Sequence, residues 1–288
     1  MSMSLRVAIS ESSRVPAEWL REALGPSVGS LDLVVGDESG APGASLLAML
    51  DRGDADAALL RGVSVRSLPE GVLPVAVLPR EEPRDVLVAA SGAATPLRDL
   101  SAGTRVGVAG ARRRAFLRVH RSDLKVVSLE NGTTPAQALE HGTADAIVLG
   151  ALEARQTGLS IKAAEILDPK AWLPGPGQGT TVLVAREGAV PSIDLTHVND
   201  ADASDALTTE VALLDILGVP PGSSLGSLAQ PTGRGIRLWA AAASEDGRAL
   251  VRSDLTGSRD APEALARAVA TQLMERGLAR VLSGVAVA

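Results

Sequence analysis

Through its first 190 residues the chain alternates short apolar runs with stretches in which apolar positions recur every three to four residues. Leu5–Ile9, Leu31–Val35 and Ala57–Leu60 predict strands, separated by a helix over Pro16–Leu24 and a short one over Ser45–Leu50. Pro16 suits a first helical turn and Gly25 a C-terminal cap. Gly71–Ala90 reads as two apolar strands around a charged, proline-punctuated turn, and Pro96–Ser101 as a linker. A second block opens at Gly103 with a strand over Arg105–Ala109 and a helix ending near His120. Strands over Lys125–Leu129 and Asp145–Leu149 follow, with a helix between them capped by Thr133 or Thr134 and carrying Pro135 in its first turn. Strands alternating with helices at this spacing predict parallel α/β sheets.

Beyond the loop Trp172–Thr180, the strand Thr181–Ala185 is placed to cross back to the first block. From Ala203 the pattern changes to a helix over Ala206–Leu217, strands over Gly235–Ala243 and Arg248–Asp254, and an amphipathic helix over Pro262–Arg276 that stops at Gly277. The expected domains are residues 1–95 with 181–200, residues 96–180, and a small α+β domain over 203–288.

Within this pattern Gly103–Leu117, GTRVGVAGARRRAFL, stands out. A helix N-terminus already carries partial positive charge, so Arg112, Arg113 and Arg114 in a first turn are disfavoured without an anion. Two readings stand: all three side chains are solvated, or the stretch is an anion site built on guanidinium forks. The GPGQG run around Gly177 and Gln178 reads locally as a turn with positive-φ glycines.

Composition narrows the classes. A net charge of −6 argues against a nucleic-acid-coating protein, and four aromatic side chains (Trp19, Phe116, Trp172, Trp239) provide no stacking platform. The chain has no cysteine, which removes disulfides, thiolate metal sites and thiol nucleophiles. Its three histidines have no ligand spacing, so no metal is expected. Neither a signal peptide nor an apolar run long enough to span a membrane is seen, and the expectation is a cytoplasmic monomer with no membrane or nucleic-acid partner.

The segments LPREEPRDVLV (Leu78–Val88), RVGVAGARRRAFL (Arg105–Leu117), EHGTADAIVL (Glu140–Leu149) and LPGPGQGTTVLVARE (Leu173–Glu187) together resemble hydroxymethylbilane synthase, also called porphobilinogen deaminase. The resemblance implies an α/β fold: two periplasmic-binding-protein-like α/β domains flanking a cleft, plus the small C-terminal domain. It implies a transferase that polymerises four porphobilinogen units on a cysteine-bound dipyrromethane primer, with an aspartate assisting proton transfer and arginines holding the carboxylates.

Carried over by position, the aspartate falls on Ser64 and its lysine neighbour on Val63, and the N-terminal arginine falls on Ser10, near Ser12. The two arginines of a further segment are replaced in Leu129–Pro135, where Asn131 and Thr134 are retained. The primer cysteine belongs near Gly218–Gly222, where there is none. Expected ligand contacts are therefore Arg112, Arg113, Ser10, Ser12, Asn131, Thr134, Gly177 and Gln178, with Glu11, Glu18 and Ser64 as the candidate catalytic groups. Asp85 joins Glu11 and Glu18 as a candidate acid or base but, lying in the PRD turn, reads as structural.

The expectation is a protein with a degenerate site, without a dipyrromethane cofactor, that binds or transforms a small anionic, pyrrole-like or other heteroaromatic ligand. The alternatives are a non-catalytic ligand sensor and a working synthase with another primer anchor.

Overall fold

Apolar runs flanked by amphipathic helices bury both faces of a sheet, and this sets the architecture. The computed structural model describes residues 4–25, 30–37, 43–92, 95–129, 133–159, 164–190, 194–220 and 222–283. The strands are β1 (Ser4–Ile9), β2 (Ser30–Val35), β3 (Ala57–Arg61), β4 (Val72–Val77), β5 (Asp85–Ala89), β6 (Arg105–Val108) and β7 (Lys125–Ser128). They continue with β8 (Ala146–Gly150), β9 (Ala164–Ile166), β10 (Thr181–Arg186), β11 (Leu225–Thr232), β12 (Gly235–Ala243) and β13 (Leu250–Ser258). The helices are α1 (Arg14–Leu24), α2 (Ala44–Arg52), α3 (Ala111–His120), α4 (Pro135–Glu140), α5 (Ala151–Gln156), α6 (Ala201–Leu217), α7 (Pro262–Glu275) and α8 (Leu278–Ser283).

The two five-stranded sheets are built alike. The first runs β2-β1-β3-β10-β4, with β1 parallel to β2 and β3, and β10 antiparallel to β3 and β4. The second runs β7-β6-β8-β5-β9, with β6 parallel to β7 and β8, and β5 antiparallel to β8 and β9. In each, an antiparallel strand separates a parallel trio from the edge strand, the periplasmic-binding-protein-like arrangement.

The chain divides into two compact units, residues 1–81 with 179–207 and residues 82–178 with 208–288. The first domain was expected to run to residue 95, but β5 lies in the second sheet, paired with β8 and β9. Nothing in an apolar run says which sheet it joins, so β4 and β5 look alike in sequence.

The first unit is cored by Leu5, Val7 and Ile9 of β1 against Leu20 and Leu24 of α1, with Leu59 and Leu183. In the second unit Val106 and Val108 of β6 and Phe116 of α3 pack with Trp172 and with Ala241 and Ala243 of β12. The C-terminal residues from 208 on therefore share a core with the second sheet, where a separate domain was expected. The turn between β12 and β13 adds to this: Arg118 Nη1 donates to the Glu245 carbonyl at 2.5 Å. The expected C-terminal hairpin gains β11, giving an antiparallel β11-β12-β13 sheet. Among the described residues no helix is long and apolar enough to cross a membrane.

Candidate functional site

The second unit holds a buried cluster of charges around Asp85, the first residue of β5. β6 passes into α3 through Gly110, whose φ of +83° turns the chain and places Arg112 and Arg113 in the first helical turn. Neither side chain is solvated; their exposures are 9% and 13%, while that of Asp85 is 0%.

Asp85 Oδ2 accepts from Arg112 Nη2 at 2.8 Å and from Trp172 Nε1 at 2.8 Å. Its Oδ1 accepts from Arg113 Nη2 at 3.0 Å, Arg113 Nε at 3.2 Å and Gln178 Nε2 at 2.8 Å. Burial alone would push the Asp85 carboxyl up, but the two guanidinium charges and these hydrogen bonds outweigh it and hold the group well below the usual carboxylate range. Asp85 is therefore an anion that compensates the arginines.

Gln178 is locked from both ends. Its Nε2 also donates to the Pro83 carbonyl at 2.7 Å, and its Oε1 accepts from Gly175 N at 3.1 Å and Arg112 Nη2 at 3.2 Å. Leu173 O accepts from Arg112 Nη1 at 2.6 Å. Gly177, at φ +69°, donates its N–H to Glu210 Oε2 at 2.5 Å, and Glu210 Oε1 accepts from Ala229 N at 2.7 Å. A fully buried carboxylate on α6 thus ties the Gly177–Gln178 turn to β11.

The charges do not close on Asp85 alone. Two guanidiniums face one buried carboxylate, and the next counter-charge is Glu153 on α5, with Oε2 at 3.5 Å from Arg113 Nη1. At that length it is an ion pair with little hydrogen-bond character.

The other expected site residues lie elsewhere. In the first unit, Ser10 Oγ is 2.8 Å from Ser12 Oγ and 3.0 Å from Ser13 Oγ, in the turn from β1 to α1. Glu11 pairs with Arg14, whose hydrogen bond holds its carboxyl below the ordinary range, and Glu18 pairs with Arg21 at 2.7 Å. Both are exposed pairs three residues apart. Ser64 sits half-buried in the 3₁₀ segment Gly62–Ser67. In the second unit, Thr134 caps α4: its hydroxyl accepts from Gln137 N at 3.2 Å and its N–H donates to Gln137 Oε1 at 3.0 Å. Asn131 lies outside the described residues.

Arg112, Arg113 and Gln178 therefore come together, with Gly177 beside them. Sequence reasoning named Asp85 as structural but not as the partner of the arginines, and it left out the indole donor, Trp172. One local signal for Asp85 was present: an ionisable residue opening the uniformly buried strand DVLVA.

The family model described as porphobilinogen deaminase, dipyromethane cofactor binding domain, matches residues 44–192. The porphobilinogen deaminase of Xanthomonas euvesicatoria pv. vesicatoria is 35% identical over 241 residues, covering 82% of this chain and 78% of that one. The chain belongs to the porphobilinogen deaminase family. The deaminase of Xylella fastidiosa agrees, at 35% identity over 245 residues, with 83% of this chain and 79% of that one covered. Among solved structures, the alkanesulfonate-binding protein SsuA from Xanthomonas axonopodis pv. citri matches at 18% identity with a TM-score of 0.36, covering 76% of this chain and 80% of that one. That likeness is too slight to carry an argument.

Membership corrects one expectation. The chain was expected to have no dipyrromethane cofactor, yet the family domain that it matches is the dipyromethane cofactor binding domain. The donor set of this porphobilinogen deaminase homologue shows how far such a group fits. With no cysteine in 288 residues, no thiol is available to form a thioether. What the second unit offers a carboxylate-bearing group is charge, at Arg113.

Proposed function

We propose that this porphobilinogen deaminase homologue reversibly binds a small carboxylate-bearing pyrrole, or a related heteroaromatic anion, and does not carry out polymerisation anchored on a cysteine. The observation that carries this reading is the arginine pair: two buried guanidiniums share one buried carboxylate, and the second charge is answered, among the described residues, by the half-exposed Glu153 at 3.5 Å. A guanidinium in a desolvated setting attracts an anion far more strongly than one in water. In the sequence, the groups that the family's covalent chemistry needs have changed: there is no thiol, and Val63 and Ser64 stand where a lysine and an aspartate were expected. Serine carries no charge at neutral pH and cannot stabilise a cationic pyrrole intermediate as a carboxylate does. A retained scaffold with altered reacting groups supports a changed function on the family's fold.

The test is calorimetric titration by porphobilinogen. Binding should be reversible and weakened about tenfold in Arg113→Lys, which keeps the charge beside Asp85 but loses the fork. No binding of porphobilinogen, or uroporphyrin-type absorbance after incubation with porphobilinogen and acid oxidation, overturns the reading.

A further inference from the structure

The fork of Arg113 is not used evenly. Nε and Nη2 both point at Asp85 Oδ1, at 3.2 and 3.0 Å. Nη1 faces the opposite way, toward Glu153 Oε2 at 3.5 Å. That same oxygen accepts from Gly150 N at 3.3 Å. Glu153 is therefore held through one oxygen by two long contacts, and its side chain is 43% exposed. Compared with Asp85, gripped by five hydrogen bonds at 3.2 Å or less and fully buried, it is loosely seated.

Gly150 pairs with Asp85 in the β5–β8 ladder. A Cβ at Gly150 would be in van der Waals contact, 3.4 Å from Arg113 Nη2 and 3.5 Å from Gln178 Nε2, so the glycine lies against the Asp85-facing side of the fork, and Glu153 meets its outward edge. Charge completes the picture. With Glu153 in place the cluster is neutral, so an added anion gains little, whereas one that replaces Glu153 inherits the whole attraction of Arg113.

We infer that the Glu153 carboxylate is a displaceable stand-in for the ligand's anion: an incoming carboxylate takes its place on the outward edge of Arg113 while Glu153 swings into solvent. The inference rests on the reading of the arginine pair as an anion site and adds how that site is filled: one ligand carboxylate replaces one side-chain carboxylate on Arg113.

The experiment is calorimetric titration of the full chain with porphobilinogen at low salt, comparing wild type, Glu153→Gln and Glu263→Gln. The side-chain amide in Glu153→Gln still offers an acceptor oxygen to Gly150 N, so α5 starts as before. Glu153→Gln is expected to bind about tenfold tighter than wild type, with the gain shrinking as sodium chloride is added. Glu263, in the first turn of α7, controls for overall charge, and its variant should match wild type. Wild-type binding with no gain in Glu153→Gln overturns the stand-in and leaves the anion site standing. An equal gain in Glu263→Gln overturns it too, since net charge would then explain the effect. No binding by any of the three proteins overturns both the stand-in and the reading beneath it.

Discussion

Replacing Asp85 with asparagine is the sharpest probe of the cluster. The variant keeps the shape of the side chain, removes its charge and turns one acceptor oxygen into a donor. Either orientation of the amide fails. An NH2 on the Oδ2 side faces Arg112 and Trp172; on the Oδ1 side it faces Arg113 and Gln178. Two buried guanidiniums are left with only the half-exposed Glu153 as counter-charge. Breaking a buried pair from one side costs about 3–5 kcal/mol. At about 2–4 °C per kcal/mol for a unit of this size, the melting temperature should fall by about 6–20 °C.

Scanning calorimetry follows the transition, and Glu18→Gln is the control, because its pair with Arg21 in the first unit is exposed and should be nearly silent. A loss for Asp85→Asn below about 1 kcal/mol would refute the reasoning that the buried carboxylate compensates the arginines. Acid titration gives a second reading. The folded Asp85 carboxyl lies well below its unfolded value of about 3.9, so its contribution is complete above about pH 4 and is lost as the pH falls through the folded value. The stability gap between wild type and Asp85→Asn should therefore be constant from about pH 7 to 5 and narrow below about pH 4.

Trp172→Phe keeps the ring near Phe116 and His120 but removes the 2.8 Å hydrogen bond to Asp85; denaturant unfolding should show a loss of about 1.5–3 kcal/mol, and a loss under about 0.5 kcal/mol would mean that the indole N–H is dispensable. Gly226→Ala places a methyl group 2.8 Å from Leu173 Cβ and 2.9–3.0 Å from the Leu173 and Pro174 carbonyl oxygens. The loop must shift, costing about 1–3 kcal/mol in thermal unfolding and weakening anion binding through Gln178; an unchanged melting temperature would show that the loop has slack.

Much of the element pattern was legible. The runs at Leu5–Ile9, Leu31–Val35 and Thr181–Ala185 lie within β1, β2 and β10; β10 is buried through Ala185 and reads as a nearly continuous apolar run, while β1 and the edge strand β2, interrupted by Arg6 and Asp32, still show as short runs rich in Leu, Val and Ile. β11 was missed because Gly226, Ser227, Gln230 and Pro231 interrupt its sequence, LGSLAQPT. The allocation of β5 was missed for a different reason: a sheet is a set of long-range pairings, and Val86–Ala89 could pair with anything of similar length.

At the site, the arginine pair was visible because three consecutive positive charges at a helix start are locally unfavourable. Asp85 was named as structural, but its partnership with the arginines was not visible, because its partners lie 27, 28, 87 and 93 residues away. Each partner, read alone, is an ordinary arginine, tryptophan or glutamine. The candidate acids Glu11 and Glu18 were suggested by proximity in sequence, and local arginines claim both.

The place of β10 between β3 and β4 has a consequence for synthesis. As the chain leaves the ribosome, β2, β1 and β3 can assemble early, but β4 has its ladder partner only in β10, which is made more than 100 residues later. The second sheet needs nothing beyond β9, which ends at Ile166, and all five of its strands are made before β10. The sheet that begins first therefore finishes last. Residues 72–77 wait as an unpaired apolar segment until Thr181–Arg186 arrives, and the entropy of closing that long loop falls on the first unit alone.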